Sequence, residues 1–219
     1  MKKHSIALLL LLVLLTGCGA KTEEAPWQTA YRETGKYLQE QDTLSAGSVD
    51  GEWAVIGLSR AGLLSDETAQ SYEQTVEDYV KQAGSVRLHH AKSTENSRTI
   101  LGLTAAGYNA ANMAGVDLTA GLTDMAYLRA QGTNGPIWAL IALDCHGYDI
   151  PQCADGEEQT TREGLVAEIL SYQCSDGGWA LMGDESDVDM TAMALTSLAP
   201  YQEETDIKAA VDAALTYLS

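Results

Sequence analysis

The sequence predicts an all-α protein built from repeated helical hairpins in two layers. Three observations carry that reading. Four Ala- and Leu-rich segments recur at a near-regular interval, longer amphipathic segments alternate with them, and period-two alternation is absent. The four are Trp53-Ala-Val-Ile-Gly-Leu-Ser-Arg-Ala-Gly62, Arg98-Thr-Ile-Leu-Gly-Leu-Thr-Ala-Ala-Gly107, Trp138-Ala-Leu-Ile-Ala-Leu-Asp-Cys-His-Gly147 and Met190-Thr-Ala-Met-Ala-Leu-Thr-Ser-Leu-Ala199. Each carries a small residue, then Leu, then Gly or Ala four residues later. The small position advances by 45, 40 and 52 residues. Gly supplies the helix stop in the first three, and in the fourth Ala199 takes its place with Pro200 behind it. Apolar character runs nearly all round these segments, which predicts burial on several sides.

The alternating helices follow in order. Pro26 to Gln41 opens with Pro in its first turn. Asp66 to Gln82 sets Tyr72, Val76, Tyr79 and Val80 on one stripe, with Glu73, Glu77 and Lys81 opposite. Leu118 to Gln131, Thr161 to Gln173 and Asp206 to Leu218 complete the set. Buried small-residue helices alternating with amphipathic ones predict two concentric layers, a toroid or solenoid whose short helices line the axis. Nine helices make four and a half hairpins. Repeat arrays carry polar caps at their ends, and Leu218-Ser219 shows none, so the array reads as incomplete.

The first residues read as an export signal. Met1-Lys2-Lys3-His4 is basic, Ile6 to Leu15 is almost unbroken apolar sequence, and Leu15-Thr16-Gly17-Cys18 closes it. The apolar run is too short to span a bilayer. A small-residue site ending in Cys predicts a bacterial lipoprotein signal, with Cys18 acylated and first in the mature chain. The expected division is residues 1–17 as signal, 18–25 as lipidated linker and 26–219 as the helical array. The mature protein would then sit outside the cytoplasm, tethered to the membrane through acyl chains on Cys18. Losing Lys2 and Lys3 leaves 11 basic against 31 acidic residues, a net −20. That charge disfavours nucleic acid and anionic headgroups as partners. Cys145, Cys153 and Cys174 form no disulfide framework, although Cys145 and Cys153 flank a turn and are candidates to pair.

The stretch richest in chemistry is Gln173-Cys-Ser-Asp176-Gly177-Gly178-Trp179, followed by Asp187-Val-Asp189-Met-Thr191. Asp187 and Asp189 stand at the mouth of a helix, where a short acidic side chain either caps free N–H groups or serves as an acid. Asp144-Cys145-His146 does not converge on a metal, because adjacent helical residues point about 100° apart. His89-His90 falls in a polar loop. Tyr108, Asn109, Asn112 and Met113 follow an inner helix, as rim residues of an axial site or as a connector. No metal or cofactor is expected.

Gly164 through Trp179, with Ile169, Gln173, Gly177 and Trp179, resembles the Gln-Trp motif of the terpenoid cyclase and protein prenyltransferase superfamily. Asn134 to Leu143 and Asp187 to Leu195 look most like its extracellular bacterial branch. The resemblance implies an α/α toroid of six hairpins, about four and a half of them present. In that family Gln ties a helix end to the next turn while Trp covers it. Class II cyclases protonate substrate from the middle residue of an Asp-x-Asp-Asp segment. Asp187-Val188-Asp189-Met190 keeps two of the three carboxylates, which would make Asp189 the proton donor. Such an acid must be held neutral by an apolar pocket. Zinc-dependent prenyltransferases use Asp, Cys and His; here Gly178 stands where the Cys belongs, and no His follows. The chain also has no Phe to line a cavity for cationic intermediates, and Trp27, Trp53, Trp138 and Trp179 fall at repeat positions that read as packing. The reading that results is a non-catalytic binder of a small molecule, peptide or surface protein. The alternatives are a cyclase using Asp189, and a fragment of a larger surface protein or cobalamin-type binder.

Overall fold

A computed structural model describes residues 25–41 and 44–219. The export signal and Cys18 lie outside the described residues. Those residues are all-α, with isolated β-bridges in place of strands. Among the described residues there are nine α-helices, one overlapping each predicted segment. They are α1 (Pro26–Gln39), α2 (Val49–Arg60), α3 (Asp66–Ala83), α4 (Ser93–Ala105), α5 (Met125–Arg129), α6 (Asn134–Asp144), α7 (Arg162–Ser171), α8 (Val188–Leu198) and α9 (Thr205–Tyr217).

Local chemistry starts most of these helices where the sequence places them. Ser48, Ser65, Thr161 and Asp187 each accept a backbone N–H three residues on, at 2.9, 3.1, 3.0 and 2.9 Å. The predicted stops also form. Gly62, Gly107 and Gly147 adopt φ of 67°, 87° and 63°, the left-handed region open to Gly. The next N–H then folds back: Leu63 donates to the Leu58 carbonyl, Tyr108 to Leu103 and Tyr148 to Leu143, each at 2.9 Å. These are the 6→1 bonds of a Schellman turn, and all three accepting leucines are buried. α8 lacks the Gly and runs on into the 3₁₀ turn Ala199–Tyr201.

Leu118 to Gln131 departs from expectation. It is a 3₁₀ turn (Leu118–Leu122), a break, and then the short α5. Asp124 causes the break: extended at φ −103°, it accepts the Ala126 N–H at 3.1 Å. The Met125 N–H leaves the helical path and donates to the Glu158 carbonyl at 2.8 Å. An aspartate side chain offers the backbone an alternative to the helix, and here the tertiary partner decides the competition.

The Gly-stopped helices pack in series. α4 lies against both α2 and α6, and α6 also takes α7 and α8. α6 is the most enclosed, with Ile137, Ala139, Leu140, Ala142 and Leu143 wholly buried, and one hydrophobic core runs from Leu44 to Ala214. At three of the four small positions, Gly102, Ala142 and Ala194, the repeat is buried. A Cβ at Gly102 would overlap the Tyr72 hydroxyl, whereas Gly57 faces open space.

Arginines tie the loops to this core. Arg87 bridges Asp124 at 3.0 Å and Glu157 at 2.6 Å while lying 4.4 Å over the Tyr127 ring. Arg129 holds Glu168 at 2.9 Å and also pairs with Glu158. Arg98 pairs with Glu95 at 2.6 Å and with the fully buried Glu52 at 3.3 Å. The Arg129 contact holds the Glu168 carboxyl below its usual range, whereas burial pushes Glu52 up more than its partners pull it down.

Two outcomes are expected. Gly102→Ala lowers the urea unfolding free energy by about 1–3 kcal/mol through overpacking, while Gly57→Ala is neutral or stabilises by up to about 1 kcal/mol. For Glu168, a lowered folded value means stability that is present above the ordinary carboxylate range and lost as pH falls through it. Urea midpoints of Glu168→Gln are therefore expected to fall less steeply on acidification than those of the parent.

Candidate functional site

The Gln173–Trp179 turn closes α7 and delivers the chain to α8. Gln173 Nε2 donates to the Gly177 carbonyl at 2.9 Å and to the Ala210 carbonyl on α9 at 2.8 Å. Trp179 is wholly buried. Its indole N–H donates to the Ile169 carbonyl at 2.7 Å, and its backbone N–H to Thr191 Oγ1 at 2.9 Å. Short bridges pair Gln173 with Trp179 and Trp179 with Asp187. One turn thus fastens α7, α8 and α9 together.

Both glycines are required by their neighbours. Gly177 has φ 91°, and a Cβ there would meet the Ala213 carbonyl oxygen at 2.8 Å. A Cβ at Gly178 would meet Ser186 at 2.7 Å and Thr191 Oγ1 at 3.0 Å. Asp176 accepts the Gly178 N–H at 3.1 Å and the Ser186 hydroxyl. Those bonds, that of Ser186 foremost, hold its carboxyl below the usual range. Every one of these contacts joins one part of the chain to another.

Asp187 is the N-cap of α8. Its Oδ1 accepts the Met190 N–H, and its carbonyl accepts both the Thr191 N–H at 2.9 Å and the Thr191 hydroxyl at 2.7 Å. Asp189 sits one residue into the helix, exposed, with no hydrogen bond or ion pair among the described residues. The apolar enclosure that a carboxylic proton donor needs is not formed around it.

Other sequence-derived candidates take structural positions. Asp144 accepts Arg162 Nε at 2.7 Å and the Tyr201 hydroxyl at 2.7 Å. Cys145 and Cys153 are both free thiols rather than a pair: Cys145 donates to the Ala142 carbonyl at 3.1 Å, and Cys153 lies 3.6 Å from the Glu157 carbonyl. Asn109 caps a 3₁₀ turn and Met113 is buried. His89 and His90 stack at 4.5 Å. Among the described residues, no group of three His, Cys, Asp or Glu side chains is placed to hold a metal, and no helix is long and apolar enough to cross a membrane.

A site that sequence reasoning missed lies at the start of the array. A cavity of about 770 Å³ opens between the end of α1 and the start of α2, with Tyr37, Leu38 and Gln41 on one wall and Asp50 and Trp53 on the other. Trp53, expected to pack, is 39% exposed and tilts against Trp138 at 5.2 Å. The end of α1, the segment around Leu44 and Ser45, and the start of α2 together enclose this space, so nothing local in the sequence announces it.

Comparisons with protein-family models, with curated proteins and with solved structures return no match for this chain.

The roles of the paired carboxylates are separable by mutation. Asp187→Ala is expected to cost about 1 kcal/mol in chemical denaturation through loss of the cap, and Asp189→Ala to stay within about 0.5 kcal/mol of the parent.

Proposed function

We propose that the protein is a membrane-tethered extracytoplasmic lipoprotein whose helical repeat, a partial α/α toroid of the prenyltransferase and squalene-cyclase-like kind, binds a ligand or another surface protein without catalysing a reaction on it. The observation that carries the non-catalytic part is the state of the two aspartates. Asp187 is engaged in capping, and Asp189 faces solvent. The toroid reading is supported by the serial packing of α2, α4, α6 and α8, by the Gly turns that the first three share, and by the Gln173–Trp179 clamp. Binding is supported by the cavity between α1 and α2. The tether rests on the basic start, the apolar run Ile6 to Leu15 and the small-residue site ending at Cys18.

Two measurements test the parts separately. Cells expressing the full chain are expected to incorporate labelled palmitate into it, and Cys18→Ser to abolish the label. An unlabelled parent protein removes the tether. Incubation with linear isoprenoids is expected to yield no cyclised product. A cyclised product that disappears in Asp189→Asn would replace the binding reading with an enzymatic one.

A further inference from the structure

We propose that the cavity between α1 and α2 is a binding site for an organic cation with apolar substituents, an alkylammonium head. The proposal deepens the binding reading above and is independent of the tether. It follows from what lines the space. Two aromatic side chains face it from different helices, Tyr37 on α1 and Trp53 on α2, and both are substantially exposed. Leu38 and Leu44 supply apolar floor. Asp50, three residues before Trp53 and so on the same side of α2, brings a carboxylate with no hydrogen bond or ion pair among the described residues. No Lys or Arg belongs to the described lining.

Each ligand class meets this lining differently. An anion meets Asp50 and a chain of net charge −18, with no cationic partner in the cavity. At the N-terminus of α2 the Gly51 N–H is already taken by the Ser48 hydroxyl, and just before it the Gly47 N–H is taken by Glu52. A bare metal ion gains nothing from apolar walls and finds a single carboxylate. A neutral sugar leaves the charge of Asp50 unused, and the lining's polar groups are partly engaged: Gln41 Nε2 bonds the Tyr37 carbonyl at 2.9 Å and the Ser48 hydroxyl bonds the Ser45 carbonyl at 2.8 Å. An alkylammonium uses every remaining feature. Its charge pairs with Asp50, its positive face lies against the negative π faces of Trp53 and Tyr37, and its methyl groups fill the apolar floor. The −18 charge raises the local concentration of such a ligand as well.

Calorimetric titration of the full-length protein with choline tests the proposal, alongside the neutral carbon isostere in which a tert-butyl group replaces trimethylammonium. Choline is expected to bind one to one, and the isostere about tenfold more weakly because it lacks the charge. Trp53→Leu, which keeps apolar volume, and Asp50→Asn are each expected to weaken choline about tenfold. Asp50 is exposed, so its variant folds, and it decides the matter alone if Trp53→Leu does not. The proposal is overturned by absence of choline binding, by equal binding of the isostere, or by unchanged affinity in Asp50→Asn. Binding of a neutral sugar that Trp53→Leu abolishes would overturn the cation assignment and leave the wider binding reading standing.

Discussion

The arrangement of this molecule depends on how its buried helices end. A helix buried on several sides finishes with carbonyl groups that water does not reach, and each unpaired one costs about 1–3 kcal/mol. In α2, α4 and α6 the same device removes that cost. A left-handed Gly turns the chain so that the N–H two residues beyond the last turn reaches back to a buried leucine carbonyl. At the end of α6 the device is reinforced, since Arg162 from α7 donates to the carbonyls of both Leu143 and Tyr148.

At α8 the pattern changes, and a different device takes over. Without Gly, the helix passes into a 3₁₀ turn, and its neighbours are fixed from the other end by Gln173 and Trp179. The clamp depends on side-chain reach across long chain separations: Gln173 and Ala210 are 37 residues apart, and Tyr217 reaches the Ser186 carbonyl across 31. Asp187 completes it by opening α8 at the one point where Trp179 and Thr191 must meet. Gln173, Asp176, Trp179 and Asp187 are all engaged in contacts that join α7, α8 and α9 or the turns between them.

The sequence was legible wherever a local rule decided the outcome. Ser48, Ser65 and Thr161 cap because short hydroxyl side chains do so, and Gly62, Gly107 and Gly147 stop helices because they alone enter left-handed backbone without strain. Reading failed where a distant partner mattered. Thr123-Asp124 breaks a helix-compatible stretch because Glu158 and Thr160, more than thirty residues on, offer hydrogen bonds to it. The Asp117 and Asp124 caps were the available signal, since two aspartates seven residues apart mark two starts rather than one helix. Trp53 was read as packing because its aromatic bulk at a repeat position fits a core; its exposure follows from where α1 crosses, which no periodicity encodes.

Serial packing of the buried helices has a mechanical meaning. Each leans chiefly on the one before and the one after, so order propagates along the row by nearest-neighbour coupling, as in a linear array of linked spins. α6 is the stiffest link, held by α4, α5, α7 and α8. α1 packs chiefly on α2 and α9 chiefly on α8, so the two ends of the row are coupled mainly through α4 and α6.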